Sequence, residues 1–185
     1  YPTGEIGVDD LPEKYRQAIA EKKRRRVVVS DIMSVTIENR DSVLLQIQEM
    51  LRTERITKES AILHEIATYN DLIPAPSELS FTLFVEIADK EERERMLTRL
   101  AGLEQQVFVE VGGEAFQATS SERAVEGYTR TTAVHYFKAK LSDAAFAALR
   151  ERRAEVRLVI RHPGHEKSVA LGHDTLAALA EDFSE

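Results

Sequence analysis

The chain has 185 residues, of which 43% are hydrophobic and 31% are charged, and its formal net charge at pH 7 is −7. These values indicate a soluble protein with one hydrophobic core, and the acidic balance excludes a general nucleic-acid binder, because binding to phosphates requires a basic surface. The chain has no cysteine, which excludes disulfides and cysteine-held metal centres, and it has no apolar stretch of the roughly 20 residues that a membrane-spanning helix needs.

The start of the chain is predicted to form an irregular arm, residues 1–9, followed by a single domain, residues 10–185. No signal-peptide pattern opens the chain, so we expect a cytoplasmic protein without a membrane partner. Pro12 favours the first turn of a helix that continues to about residue 25. Two strands and a second helix are expected next, at 26–29, 33–38 and 41–55, and the helix is capped by Asn39 or Asp41.

The rest of the chain mixes helices and strands without a regular strand–helix repeat. ELSFTLFVEI (78–87) alternates apolar and polar residues and predicts a strand, and QVFVEVGGEAFQAT (106–119) is typical of a hairpin that turns at Gly112–Gly113. The other predicted elements are helices at 57–70, 89–102, 142–152 and 173–183, strands at 132–141, 155–162 and 168–172, and loops at 70–78 and 120–131. This order predicts the α+β class, as a single domain with a largely antiparallel sheet and packed helices.

Glu54 is the first candidate functional residue. On a helical wheel of residues 43–55 it falls within an apolar stripe formed by Val43, Leu44, Ile47, Met50 and Leu51. A carboxylate that is buried without a partner is costly, so its position needs an explanation. Three interpretations stay open: the helix ends early and Glu54 reaches solvent, Glu54 pairs with Arg16, Arg40 or Arg55, or it serves as a general acid, general base or ligand.

His135 is the second candidate. It lies on the predicted core face of strand 132–141, where a histidine is either a structural residue or, beside Glu86 or Glu54, one half of an acid–base pair. His162, His165 and His173 could hold a transition metal only if they converged, and the Pro163–Gly164 turn among them favours a surface turn instead. We therefore predict no metal and no cofactor.

The basic run KKRRR (22–26) stands at the end of the first predicted helix. Cations at this end of a helix complement its dipole, so the run is interpreted as a solvated helix end. The alternative is a site for a phosphate or an acidic partner.

Six segments carry a resemblance to a known family: KKRRRVVV (22–29), IENRDSVLLQIQEMLRTERI (37–56), ATYNDLIP (67–74), ELSFTLFVEI (78–87), GLEQQVFVEV (102–111) and TAVHYFKAKL (132–141). With them the chain resembles bacterial domain-of-unknown-function family 3501 from about residue 10 to about residue 163. The resemblance implies genes that neighbour those of rubrerythrin-type diiron proteins and of cysteine-rich iron–sulfur oxidoreductases. It therefore implies an accessory role in redox or peroxide-stress physiology, and a cysteine-free chain fits a partner of such proteins better than a cluster carrier.

The resemblance also selects candidate site residues. The polar residues in the matching segments are Glu38, Asn39, Arg40, Gln46, Gln48, Glu49, Arg52, Glu54, Arg55, Tyr69, Asn70, Glu86 and His135. We predict that several of them meet around helix 41–55 and line a single polar pocket.

Three interpretations of function follow. The first is an accessory or binding protein that docks a redox protein or holds a small anionic ligand, since guanidinium groups suit carboxylate and phosphate; its ligand-binding candidates are Arg40, Arg52, Arg55, Gln46, Asn39, Tyr69 and Asn70. The second is an enzyme, metal-assisted or not, whose acid–base candidates are Glu54, Glu49, Glu86 and His135. The third is a structural homodimer with one face of helix 41–55 as its interface.

Overall fold

The structure is a computed structural model that describes residue 9, residues 12–120 and residues 130–184. These residues form six α-helices and nine strands, together with a short 3-10 helix at Leu103–Gln105. Their bounds in chain order are α1 Glu13–Arg24, β1 Arg26–Val28, β2 Met33–Glu38, α2 Arg40–Thr53, α3 Glu59–Asn70, β3 Glu78–Val85, α4 Lys90–Arg99, β4 Val107–Val111, β5 Glu114–Gln117, β6 Thr119–Ser120, β7 Val134–Lys140, α5 Asp143–Arg150, β8 Val156–His162, β9 His165–Ala170 and α6 His173–Asp182.

The strands form two sheets, and every pairing between described strands is antiparallel. The first sheet has the order β1-β2-β3-β7-β6, and the second has the order β5-β4-β8-β9. The predicted α+β class is thereby confirmed. Residues 1–8 of the predicted arm and 121–129 of the predicted loop lie outside the described residues.

One strand begins earlier than predicted. The segment expected as a strand at 168–172 is paired from His165, because Pro163 and Gly164 make a two-residue turn and His162 pairs directly with His165. The backbone N–H of Gly164 donates to Nδ1 of His162 at 2.9 Å and tightens this turn. A two-residue hairpin turn lets the ladder resume at once, so no loop separates β8 from β9.

The two sheets share one hydrophobic core. Alternate residues of the first sheet point to it, including Ile37, Phe81 and Phe137, and the second sheet contributes residues such as Val109 and Ile160. The rings of Phe81 and Phe137 stack with their centroids 5.4 Å apart. Burial of these apolar side chains is the main favourable term in folding, at about 25 cal/mol per Å² of apolar surface.

The outer face of the first sheet is polar but also buried. All six residues of β2 are buried, and on this face β2 carries Ser34, Thr36 and Glu38. The face is covered by α2 and α3, which pack on it through a second, smaller cluster: Val43, Ile47 and Leu72, with Leu51, Ile66, Tyr69, Ile73 and Tyr136 around them. Since polar groups under a helical cover need hydrogen-bond partners, this face is where a functional site is expected.

Helix α1 is attached more loosely than the other helices. None of its residues is buried, and Tyr15 and Ile19 are exposed. Its C-terminal end is fixed through Arg25, which follows the helix. A helix held at one end and bordering the covered sheet face leaves an open cleft beside α2. Within the described ranges, no helix combines the length and the apolar character needed to cross a membrane.

Candidate ligand-binding cleft

Glu38, the last residue of β2, is a buried carboxylate with three neutral donors. Its side chain is on the outer face of the first sheet, and the residue is 2% exposed. Gln46 Nε2 donates to Oε1 at 2.7 Å, Thr82 Oγ1 donates to the same oxygen at 2.9 Å, and Ser42 Oγ donates to Oε2. No lysine, arginine or histidine of the described residues lies within 4.0 Å of it. The carboxylate is therefore fixed in place by hydrogen bonds without a positive partner.

Two adjoining cavities meet at Glu38. They have volumes of about 440 Å³ and about 420 Å³, each within the range of small-molecule sites. Both are lined by the same five residues: Lys22, Thr36, Glu38, Gln46 and Glu49. We call the two together the cleft. Its first half lies between α1 and α2, and its second half lies between α2, α3 and the outer face of the first sheet.

The two halves differ in character. The first half adds apolar side chains from two helices, among them Tyr15, Ala18, Leu44 and Leu45. The second half adds three aromatic rings: Tyr69, Phe84 and Tyr136. Tyr15 and Leu44 are large apolar residues left exposed at the mouth of the first half. Apolar walls with a few fixed polar groups are typical of ligand-binding sites.

Acidic groups dominate the second half of the cleft. Glu38, Glu49 and Glu54 line it, against a single ammonium group, that of Lys22. Burial raises the pKa of Tyr69 above its ordinary value, and the negative charges of Glu65 and Glu54 raise it further. This direction is expected in a negative potential, which disfavours ionisation of the phenol.

In the first half, Arg25 is the only guanidinium among the lining residues that the structure describes, and it is already occupied. Its Nη1 donates to Oδ2 of Asp182 at 2.8 Å, and its Nε donates to Glu21 at 2.9 Å. Burial by itself lowers the pKa of Arg25, but the hydrogen bonds and charges of Asp182 and Glu21 outweigh it and raise the pKa. The guanidinium group of Arg25 therefore holds the wall of the cleft together and is not available to bind a ligand.

Six of the polar residues selected from the sequence line the cleft: Glu38, Gln46, Gln48, Glu49, Glu54 and Tyr69. The expected meeting of polar residues around α2 is therefore present for this part of the set. Glu38 lies at the centre of this group. No pattern in the sequence ranks it above its neighbours, because an acid at a strand end is usually solvated.

The three arginines predicted to bind an anion do not line the cleft. Arg40 opens α2, Arg52 lies in its last turn and Arg55 follows it, and all three are exposed. Asn39 is instead the N-cap of α2, and its Oδ1 accepts a hydrogen bond from the backbone N–H of Ser42 at 2.8 Å. Asn70 is exposed at the end of α3.

The position of Glu54 follows from where α2 ends. The helix stops at Thr53, and Glu54 is its exposed C-cap, followed by Arg55 in the left-handed region with φ 51°. The wheel assumed that the helix continues through residue 55, which would bury the carboxylate. Of the three interpretations, the one in which the helix ends early and Glu54 reaches solvent describes the structure.

His135 is separated from the glutamates proposed as its partners. It points into the core from β7 and is fully buried, whereas Glu86 lies on the outer side, where it accepts from Ser34 Oγ at 2.9 Å. Among the described residues, the acid found beside His135 is Glu104, whose Oε1 lies 4.0 Å from Nδ1. Thr131 Oγ1 links the two, at 3.0 Å from Nε2 of His135. The sheet thus stands between His135 and the glutamates Glu49, Glu54 and Glu86.

The histidines near the Pro163–Gly164 turn have separate partners. His162 Nε2 lies 2.8 Å from the carbonyl oxygen of Ala101, and His165 Nε2 lies 2.9 Å from Ser30 Oγ. His173 is hydrogen-bonded to Arg152. In the part of the chain that the structure describes, no group of three histidine or carboxylate side chains is placed to hold a metal ion.

The fold and the cleft define an α+β protein with two antiparallel sheets and a site of ligand-binding size. The family model described as "Protein of unknown function (DUF3501)" matches residues 11–183, and the chain belongs to this family. The match extends beyond residue 163, where the resemblance seen in the sequence ended. No curated protein matches the chain.

A solved structure shows the same architecture over nearly the whole chain. It is the crystal structure of a novel protein of unknown function from Burkholderia pseudomallei, and its sequence is 30% identical to this chain. The comparison covers 96% of this chain and 98% of that one, with a TM-score of 0.83. The two-sheet fold that carries the cleft is thus shared with a related protein.

Proposed function

We propose that this protein is a cytoplasmic binding protein whose ligand site is the cleft around Glu38. One observation carries the proposal: two cavities of ligand-binding size meet at a buried carboxylate that three donors hold in one orientation. Such a fixed acceptor is preorganised, so a ligand that uses it loses little free energy to ordering of the protein.

The surroundings of Glu38, where the two cavities meet, favour ligand binding over catalysis. Proton transfer requires a group that can exchange its proton within hydrogen-bond reach of a substrate. Glu38 has its hydrogen-bonding capacity largely occupied by Ser42, Gln46 and Thr82, which position it. His135, the base considered with a glutamate, faces the opposite side of the first sheet. An accessory role is therefore favoured over the enzyme interpretation.

We further propose that the protein acts as an accessory partner of redox proteins. The family resemblance implies gene neighbours of the rubrerythrin type and iron–sulfur oxidoreductases, and the absence of cysteine fits a partner of such proteins. Sedimentation of the purified protein with a purified rubrerythrin-type protein from the same organism tests this extension. A complex supports it. Independent sedimentation of both proteins overturns the redox role and leaves ligand binding in the cleft untouched.

Ligand binding in the cleft is tested by NMR titration with a panel of small neutral, anionic and cationic compounds. We expect shifts at backbone amides of Thr36, Gln46 and Tyr69, which line the cleft. Glu49→Trp introduces a bulky ring into both halves and should abolish these shifts. Arg52→Trp is the matched control, because Arg52 is an exposed residue of the same helix that lines neither half. Absence of binding by every compound, or equal binding to Glu49→Trp, contradicts the proposal.

A further inference from the structure

We propose that the ligand of the cleft is a linear organic cation, such as an aliphatic diamine, that places one ammonium group at Glu38 and extends along the aromatic second half. This inference rests on the proposed function and names the chemical class of its ligand. The sequence predicts an anionic ligand, whereas the acidic side chains that the structure places in the cleft favour a cationic one.

The first argument is the missing counter-ion of Glu38. A carboxylate offers about four acceptor positions, and the structure fills three of them with neutral donors. A buried carboxylate is normally paired with a cation, yet no basic side chain of the described residues lies within 4.0 Å of Glu38. An ammonium group entering the cleft would supply both the fourth hydrogen bond and the positive charge.

The second argument is the wall of the second half. Tyr69, Phe84 and Tyr136 line it, together with the carboxylates of Glu49 and Glu54. Aromatic faces attract cations within about 6 Å and also pack well against methylene groups. Carboxylates on the same wall suit a second ammonium group. An aliphatic chain with a positive charge at each end can contact both the aromatic rings and the carboxylates of this wall. A compact or neutral molecule can contact only some of them.

The third argument is the weakness of anion binding. Among the described residues, the one basic side chain that lines both halves is Lys22, which is exposed on α1. Arg25 is held by Asp182 and Glu21. In the second half an anion would therefore meet Lys22 alone, while Glu38, Glu49 and Glu54 repel it. Lys22 is instead the group that competes with a cationic ligand for the cleft.

Calorimetric titration tests the charge of the ligand with three series of equal chain length: linear diamines from propane- to octanediamine, the corresponding diols and the corresponding dicarboxylates. We expect diamines to bind most tightly, with an optimum length and with affinity that falls as salt is added. Glu49→Gln and Glu54→Gln should each weaken diamine binding by about two- to five-fold, the effect of one exposed ionic contact. Glu91→Gln on α4 is the control for net charge, since it is exposed and lines neither half.

Lys22→Met gives the sharpest discrimination. Removing the competing ammonium group should tighten diamine binding, whereas it should weaken binding of a dicarboxylate that depends on Lys22. Lys23→Met is the matched control, because Lys23 is the next exposed lysine and lines neither half. Weaker diamine binding in Lys22→Met, or diols and dicarboxylates that bind in the cleft as tightly as diamines, overturns this inference alone. If no compound of any series binds, the proposed function fails with it.

Discussion

Arg25, which follows α1, and Asp182, the last residue of α6, form a buried ion pair across the molecule. The guanidinium donates to both carboxylate oxygens, with 2.8 Å between Nη1 and Oδ2. Arg25 is 2% exposed and the side chain of Asp182 is 12% exposed. The pair joins the end of α1 to the opposite end of the chain, and it thereby fixes the helix that forms one wall of the cleft.

The first prediction concerns the stability that depends on this pair. Arg25→Met leaves Asp182 without its cation in a buried place, and we expect the free energy of unfolding to fall by about 3–5 kcal/mol. Arg26→Met is the matched control: Arg26 pairs with Glu86 at 3.1 Å, but both side chains are about half exposed, at 52% and 48%. Exposed pairs contribute about 1 kcal/mol or less. Urea denaturation of both variants measures the difference, and equal losses would contradict the assignment.

Most of the fold could be predicted from local patterns. Alternation of apolar and polar residues identified the strand that is observed as β3, and Gly112–Gly113 identified the hairpin of β4 and β5. Of the two residues predicted as caps for α2, Asn39 and Asp41, Asn39 is the observed cap. These features are local, because each is fixed by residues within one element or one turn.

The candidate site could be predicted only in part, since it depends on contacts between distant residues. Arg25 stood within a run interpreted as solvated, and its partner Asp182 is 157 residues away in the sequence. Glu38 is buried because α2 and α3 cover a polar sheet face, and no local pattern shows that cover. The predicted arginines do not line the cleft for a simpler reason: Arg40 and Arg52 on α2, and Arg55 just after it, are exposed to solvent.

The second prediction concerns the donors of Glu38. Thr82 Oγ1 donates to Glu38 Oε1 at 2.9 Å in a buried place. Thr82→Val keeps the shape of the side chain and removes this donor, so we expect a loss of about 1–3 kcal/mol in the free energy of unfolding.

Thr36→Val is the control for this change, because Thr36 is the cross-strand partner of Thr82 on the same sheet face and does not bond to Glu38. The loss in free energy of unfolding for Thr36→Val should be smaller than for Thr82→Val, because this change removes no hydrogen bond to Glu38. If thermal or urea denaturation gives the same loss for both threonines, the hydrogen bond to Glu38 does not stabilise the fold.

The third prediction concerns the start of α2. Asn39 Oδ1 caps the backbone N–H of Ser42, and Asn39 Nδ2 donates to Asp182 Oδ1 at 3.0 Å. Asn39→Ala should lower the free energy of unfolding by about 0.5–2 kcal/mol, the usual cost of losing an N-cap. Lys58→Ala changes the N-cap of α3, which has no side-chain cap, and should be nearly neutral. Equal effects in urea denaturation would show that the cap of α2 contributes nothing.

The last prediction begins with the environment of His165. Burial lowers the pKa of its imidazole, and the positive charge of Lys167 lowers it further, while Asp31 opposes them. The folded protein therefore binds a proton at His165 less readily than the unfolded chain does. As the pH drops through the ordinary pKa of about 6.5, the unfolded chain binds a proton at this histidine before the folded protein does. The free energy of unfolding therefore falls until the pH has passed below the lowered pKa of the folded state.

His165→Gln removes this titration and keeps a polar group that can bond to Ser30 Oγ, which lies 2.9 Å from His165 Nε2. We expect the variant to lose less free energy of unfolding than the parent between about pH 7.5 and about pH 5.5, as measured by urea denaturation across this range. His64→Gln is the control for the loss of a histidine, because His64 is exposed on α3. A steeper loss in His165→Gln would mean that the proton is bound more tightly in the folded state, the opposite of what burial beside Lys167 predicts.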